Sequence, residues 1–442
     1  MTAPLQAPAP APAPGRKPPL VDLAAYRRLP GRTRIVLLAI AIMFILSVVR
    51  AVTSAEDLTS VGTFGAALRL AMPIGLAGLG GLWSERAGVV NIGLEGMMIF
   101  GTWFGAWAGY RYGPWWGVAI GAAGGMAAGA IHALATVTFG VDHIISGVAI
   151  NILGAGTARF LSVVTYGDQA VAAGGSATQS PRVTGTVGTF TLPVLSGGKL
   201  FGWRSPDILG VLGRHHWFLA SDVANLLKAL TSGVSLVIML ALVLFPLTYF
   251  VLWKTAFGLR LRFVGEDPVA AESLGVKVYR MKYAAVLVSG ALAGLGGAVL
   301  VLVFSGSYIE GQTGGRGFIG LAAMIFGNWL PGGLLAGAAL FGFADALQLR
   351  NAEAVHALLL FVAIVLAFLA ARAGLARRFV PASITLAVAL AVAVWYATTD
   401  TVPRELVGFT PHLITLLVLA LASQRLRPPA ADGRPYRKGQ AR

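Results

Sequence analysis

The chain has 442 residues, 56% of them hydrophobic and only 12% charged, with a mean hydropathy of +0.75 and a formal net charge of +16. Soluble domains carry roughly 25% charged residues, so too little polar surface is available to cover a water-soluble body, and the 57 glycines suit helices that approach closely in a membrane. With no cysteine, neither a disulfide framework nor a thiolate metal site is possible.

The positive excess is spread, not clustered. Residues 1–34, 254–283, 372–378 and 424–442 together carry the whole +16. Each of these segments flanks an apolar stretch, as the positive-inside rule expects of cytoplasmic loops. A nucleic-acid face would need one contiguous basic patch, so no nucleic-acid partner is expected.

Residues 1–34 read as a disordered cytoplasmic tail, opening with a Pro/Ala tract over residues 3–14. No cleavable signal peptide is expected, because the first apolar run starts near Ile35 and is long enough to span. A bilayer core needs about 20 apolar residues per helix. Candidate spans lie near 35–53, 64–82, 87–109, 115–138, 144–164, 233–253, 284–304, 317–329, 332–349, 355–371, 379–397 and 407–423, making 35–423 a single all-α transmembrane domain. The pieces over 317–349 are short and interrupted by Asn328-Trp329-Leu330-Pro331-Gly332-Gly333, a pattern of half-helices shielded from lipid. Twelve crossings place the basic segments and both termini on one side. They leave 165–232 as a long extracytoplasmic loop, in which His215-His216 reads as solvated and not as a metal pair, since no carboxylate cluster accompanies it.

Leu76–Gly81 recurs as Leu292–Gly297, and Met98-Ile99-Phe100-Gly101-Thr102-Trp103 recurs as Met324-Ile325-Phe326-Gly327-Asn328-Trp329. Ile92-Gly93-Leu94 and Ile319-Gly320-Leu321 fall in the same order. Five spans separate the copies, so they run in opposite directions. Inverted repeats are a transporter architecture with the pathway between the halves. The expected fold is a polytopic helical bundle of about ten core spans in two inverted repeats, plus an inserted helix pair over 355–397.

Polar groups at membrane depth are costly and are functional candidates by default. Here they are Asn91, Glu95, Asn151, Arg159, Arg316, Asn328 and Asp345. Asn91 and Glu95 are four apart and on a helix would share a face, lining a pathway or locking its geometry; helix capping and packing remain the alternative. Arg316 suits either a half-helix cap or an anionic group, and Asp345 suits pairing with a cation. His132 and His143 read as packing residues. Trp83, Trp103 and Trp329 could stack on a base or anchor helices at an interface.

The basic loop 254–283 carries a short amphipathic helix. Glu266-Asp267-Pro268 is a helix start with acids and proline early. Ala270, Ala271 and Leu274 form an apolar face, Glu272 lies between them, and Gly275 ends the helix. A helix there suits docking into a groove on a partner, or is an ordinary surface turn.

The Ser84–Met98 stretch, the Gly265–Gly275 loop and the Gly315–Trp329 segment resemble the membrane subunits of bacterial ABC importers. The resemblance is nearest to the nucleoside and simple-sugar permeases of the branched-chain amino acid and ribose permease family. It covers roughly residues 60–350, with the tail around Pro411–Leu421 and Gly433-Arg434-Pro435-Tyr436. His412 stands where an aromatic is expected.

The resemblance implies that Gly265, Glu266, Asp267, Pro268, Ala270, Ala271, Glu272 and Gly275 couple to an ABC ATP-binding subunit. It also implies a second homologous permease subunit and an extracytoplasmic substrate-binding lipoprotein, in a bacterial plasma membrane. The pathway would draw on Asn91, Glu95, Trp103, Asn151, Arg316, Asn328 and Asp345. No G-x-x-x-x-G-K-[ST] occurs, so ATP and Mg belong to the partner, and this chain is a transport subunit with no catalytic residue, cofactor or metal of its own. Nucleosides are the substrate that the resemblance favours, with a simple sugar as the alternative. An ion-coupled secondary transporter would have to work with Glu95 and Asp345 as its only deep acids, and would leave the docking helix without a purpose.

Overall fold

The structure is a computed structural model that describes residues 31–172, 178–200, 203–349, 352–403 and 426–439. It is almost wholly helical. Helix α1 (Gly31–Thr53) is followed by a 3-10 turn at Glu56–Thr59 and by α2 (Val61–Arg86), which the Ser60 Oγ caps by accepting from the Thr63 N–H at 3.1 Å. Next come α3 (Leu94–Tyr112), α4 (Pro114–Ala133) and α5 (His143–Ala172). Pro114 opens α4, where its missing N–H costs nothing. Two short helices, α6 (Ile208–Arg214) and α7 (Ala220–Thr231), precede α8 (Leu236–Lys254), α9 (Ala256–Glu266) and α10 (Pro268–Ser273). The remaining helices are α11 (Val278–Val299), α12 (Arg316–Phe326), α13 (Pro331–Gln348), α14 (Ala352–Leu375) and α15 (Phe379–Thr398). α4 and α11 each run on into a wider-wound π turn, over Leu134–Thr138 and Leu300–Ser305.

Among the described residues eight helices are long and apolar enough to cross a membrane, namely α1, α2, α4, α5, α8, α11, α14 and α15. The expected spans at 87–109 and 332–349 correspond to α3 and α13, and the one at 317–329 to the short α12. α3 starts only at Leu94, because the chain first turns through Gly88 in a left-handed conformation (φ +77°) that a side chain would strain. α12 has 11 residues, about 16 Å at 1.5 Å per residue, half the ~30 Å hydrocarbon core. It is a half-helix. The expected span at 407–423 lies outside the described residues. The expected loop at 165–232 starts late, since α5 continues to Ala172, and its described part is folded. It carries α6, α7 and two short antiparallel pairings, Thr189–Phe190 with Val234–Ser235 and Lys199–Leu200 with Trp203–Arg204.

The centre is a pseudo-twofold arrangement of α2–α3–α4 and α11–α12–α13. α2 and α11 cross antiparallel at their glycines: a Cβ on Gly80 would lie 2.5 Å from the Ser289 carbonyl oxygen, and one on Gly296 would lie 2.9 Å from that of Pro73. α3 packs on α11 and α12 packs on α2, while α4 covers α11 and α13 covers α2. The two copies therefore do run in opposite directions, as the sequence repeat requires. Only glycine permits these backbone approaches, because a Cβ on Gly101 would meet the Gly294 carbonyl oxygen at 2.1 Å.

The segment 178–235 is tied to this body through α1, the 3-10 turn that follows it and α2. Arg50 Nε pairs with Asp222 at 2.9 Å, the Thr59 hydroxyl also donates to Asp222, and Asn225 Nδ2 donates to the Thr59 carbonyl at 3.1 Å. α14 and α15 pair chiefly with each other, and α14 also contacts α1.

Candidate functional site

The half-helix α12 and the helix α3 meet N-terminus to N-terminus. Each end presents unpaired N–H groups and the positive end of a helix dipole. Glu95, in the first turn of α3, sits between them. Its Oε1 accepts from the Gly315 N–H at 2.9 Å and its Oε2 from the Gly317 N–H at 2.7 Å. One carboxylate thus offsets two dipole ends, and both of its oxygens are engaged. Gly317 makes the approach possible, since a Cβ there would lie 2.5 Å from the Glu95 nitrogen.

Four more of the sequence candidates gather at this junction. Asn151 of α5 accepts from the Gly96 N–H at 2.7 Å and donates to the Ile92 carbonyl at 3.1 Å, fixing the start of α3 from the side. Arg316 Nη2 pairs with Asp345 Oδ2 at 3.3 Å, joining α12 to α13. Asn91 does not share a helix face with Glu95. It precedes the helix, accepts from the Gly93 N–H at 3.0 Å, and donates to Ser289 Oγ at 2.8 Å. The Asn91 bonds force this turn, and spacing alone could not show that helix geometry begins after them.

Trp103 stands about two turns further along α3, with its indole N–H on Ser162 Oγ at 2.9 Å. Asn328 is elsewhere, at the far end of α12. It is held at φ +54° and accepts from the Arg427 N–H at 2.8 Å. Arg159 is mostly exposed, in a long 3.8 Å pair with Glu310. The junction therefore collects Asn91, Glu95, Asn151, Arg316 and Asp345, and leaves Trp103, Arg159 and Asn328 outside it.

At the end of the molecule that carries the basic 254–283 loop, the short helix read from the sequence over Glu266–Gly275 is shorter than expected. Glu266 closes α9, and α10 begins at Pro268 with Asp267 as its cap, accepting from the Val269 and Ala270 N–H groups at 3.1 and 2.9 Å. The expected apolar face is split. Ala271 is buried, whereas Leu274 is 74% exposed. Gly275, at φ +79°, turns the chain back.

The tail 426–439 lies across this loop. Its Ala430 N–H donates to Glu266 Oε2 at 3.1 Å, its Ala431 N–H to the Gly265 carbonyl at 2.9 Å, and its Gly439 N–H to Glu272 Oε2 at 3.3 Å. Tyr436 packs on Tyr279. Beneath the tail, Glu85 accepts from the Trp329 indole at 2.6 Å and Arg86 donates to the Trp329 carbonyl at 2.8 Å, so this adjacent pair is split between other partners. Burial pushes the Asp432 carboxyl up to about 7, beside Glu85 and against the countering pull of Lys282 and Arg86. Lys282 is itself buried, with its Nζ on the Gly88 carbonyl at 3.3 Å. Ser289, Ser162, Lys282 and Asp432 escaped the sequence reading. Only the tail motif Gly433–Tyr436 hinted at this region.

The branched-chain amino acid transport system permease component family matches residues 63–371. The chain belongs to this family, and it is the membrane permease subunit of an ABC transporter, a transport protein and not an enzyme. It is 35% identical over 291 residues, 64% of this chain and 81% of the relative, to the guanosine ABC transporter permease protein NupQ of Bacillus subtilis (strain 168). It is 30% identical over 380 residues, 83% of this chain and 94% of the relative, to the nucleoside ABC transporter permease protein NupC of Lactococcus lactis subsp. cremoris. Identity is 36% over 299 residues, 66% of this chain and 78% of the relative, to a Haloferax volcanii protein provisionally named as the glucose ABC transporter permease protein TsgC13. No solved structure matches the chain.

Proposed function

We propose that this permease belongs to an importer that carries nucleosides across a bacterial plasma membrane by alternating access, with a simple sugar as the alternative cargo. Two of the similar permeases bear guanosine or nucleoside in their names and one bears glucose, which is the support for that choice. The observation that carries the mechanism is the α9–α10 loop. A capped helix ending in an exposed Leu274 is tied by the tail to Gly265 of α9, which abuts Arg86 at the end of α2, and the same C-terminal half of α2 packs on the α12 half-helix at Ile74, Gly78 and Gly81. Movement of α10 then has a short path to the Glu95 junction.

In this reading an ATP-binding subunit, holding ATP and Mg, seats on residues Gly265 to Gly275, and both termini face the cytoplasm. A second homologous permease completes the pore, a binding lipoprotein delivers cargo to the 178–235 side, and lipid surrounds the rest. Residues 355–397 are an added helix pair, of which the family match takes in 355–371 and leaves out the rest. Glu95, Asn91 and Asn151 act as geometric locks beside the pathway. Glu95, with both oxygens on backbone N–H groups, and Asp345, paired with Arg316, are engaged by the protein itself and are poorly placed to hold a coupling ion.

Uptake of radiolabelled nucleosides and glucose by cells with and without this chain tests the proposal, alongside deletion of the ATP-binding subunit and an ionophore. The expected result is uptake that needs both proteins and resists the ionophore. Uptake that persists without the ATP-binding subunit and collapses with the ionophore would favour a secondary transporter instead.

A further inference from the structure

Between α11 and α12 the chain crosses back through an irregular segment, residues 306–315. Such backbone is tolerated at membrane depth only where protein shields it or a cavity meets it. It is anchored at both ends. The Val183 and Ser180 N–H groups donate to the Gly306 and Tyr308 carbonyls at 2.7 and 3.1 Å, and Glu95 holds Gly315. Gly311, at φ +76°, makes the turn between the anchors.

This segment walls a cavity of about 190 Å³ with Ile99 and Thr102 of α3 and Ala155 of α5. That is far above the roughly 10–15 Å³ that admits one water, and leaves room for a sugar ring. Its lining is mostly apolar. Ile99, Ala155 and Ile309 offer apolar surface, while Tyr308, Glu310, Gln312 and Thr313 line the remainder. Gln312 Oε1 accepts from Ser305 Oγ at 3.1 Å, but its Nε2 is buried and makes no hydrogen bond among the described residues. A buried amide donor left unpaired is costly. The Glu310 carboxylate has the long Arg159 pair and is 41% exposed.

We propose that residues 308–313 form the sugar-reading station of the pathway. The Glu310 carboxylate accepts from two adjacent hydroxyls of a ring, the Gln312 side chain shapes the wall beside it, and the apolar wall takes the ring face. The ligand class is a neutral ring bearing a vicinal diol. A ribonucleoside and a hexose both present it, so nucleoside-named and glucose-named permeases can share one scaffold. The inference rests on the nucleoside-or-sugar reading of the preceding section and adds the residues that select the cargo.

The test uses the complete transporter in cells, with Glu310→Gln and Gln312→Leu compared with Leu386→Ala on the outer helix α15. Radiolabelled ribonucleoside uptake is competed with unlabelled ribonucleoside, its 2′,3′-dideoxy analogue, the free base and glucose. Preference ratios do not depend on how much transporter reaches the membrane. Losing a hydrogen bond to a charged group costs about ten-fold or more in affinity, so the wild type and Leu386→Ala should prefer the diol by at least that factor, and the two loop variants should lose most of the preference. Loss seen only against glucose supports the same station with a hexose as cargo. Variants that keep the wild-type preference, or that lose all competitors equally, overturn the station and leave the importer reading standing. A wild type that takes up neither nucleoside nor hexose removes both.

Discussion

Two regions of one membrane domain differ sharply in how they are held. In α2 78% of the most apolar stretch is buried within the chain, and in α11 72%, whereas in α15 the figure is 6%. The first two are joined by glycine-to-backbone approaches and flanked by polar locks. α15 presents Leu386, Val388, Leu390 and Val394 outward and is covered by little of its own chain. Apolar character alone does not distinguish a helix that builds the transport machinery from one that faces lipid or a partner. What distinguishes them is small residues and satisfied polar groups, since lipid is as apolar as leucine and gives no hydrophobic push between helices.

The comparison breaks most visibly at the centre. Gly101→Leu places a side chain where even a Cβ would lie 2.1 Å from the Gly294 carbonyl oxygen. Overpacking costs about 1–3 kcal/mol and occasionally more, and here the obstacle is backbone, so we expect loss of uptake and little folded protein by size-exclusion in detergent. Glu95→Ala comes next. It strips the acceptor from the Gly315 and Gly317 N–H groups, at about 1–3 kcal/mol for each buried group left unpaired. A lowered thermal midpoint of the purified complex, with partial recovery in Glu95→Gln, is the expected reading.

The sequence made part of this legible. Charge placement located the basic segments, the Leu76–Gly81 and Leu292–Gly297 echo gave the antiparallel pair, and Asp267-Pro268 with Gly275 marked α10 almost to its ends. The function of Glu95 was open, because its partners are more than two hundred residues away and are backbone groups that carry no side-chain signature. The Arg316–Asp345 pair is only 29 residues apart, but whether two side chains on different helices meet depends on how those helices pack, and the tail strap rests on backbone N–H groups more than 160 residues from the loop. α3 misled because an apolar count treats Val89–Gly93 as helix, whereas the Asn91 side chain competes for the local backbone and delays the start.

Smaller effects sharpen the comparison. The Asp432 carboxyl, at about 7 when docked, is well above its ordinary 3.8. The docked tail therefore holds more protons than the free one, so docking is favoured at low pH and weakens as pH rises through about 7. Hydrogen exchange of the tail amides should show more protection near pH 6 than near pH 8, and Asp432→Asn should flatten that difference. At the outer helix, Leu386→Ala should leave uptake unchanged and stability within about 0.5 kcal/mol, as for surface positions generally.

The central claim, that α10 receives an ATP-binding subunit, meets its most direct test in cross-linking. The chain has no cysteine, so Leu274→Cys introduces a single thiol at the exposed end of α10, and Trp217→Cys does the same on the far side. With the ATP-binding subunit co-expressed, a thiol-to-amine cross-linker should capture that subunit from Leu274→Cys, with a yield that changes on adding ATP, and not from Trp217→Cys. Capture from Trp217→Cys alone, or from neither thiol in a complex that still transports, would contradict it.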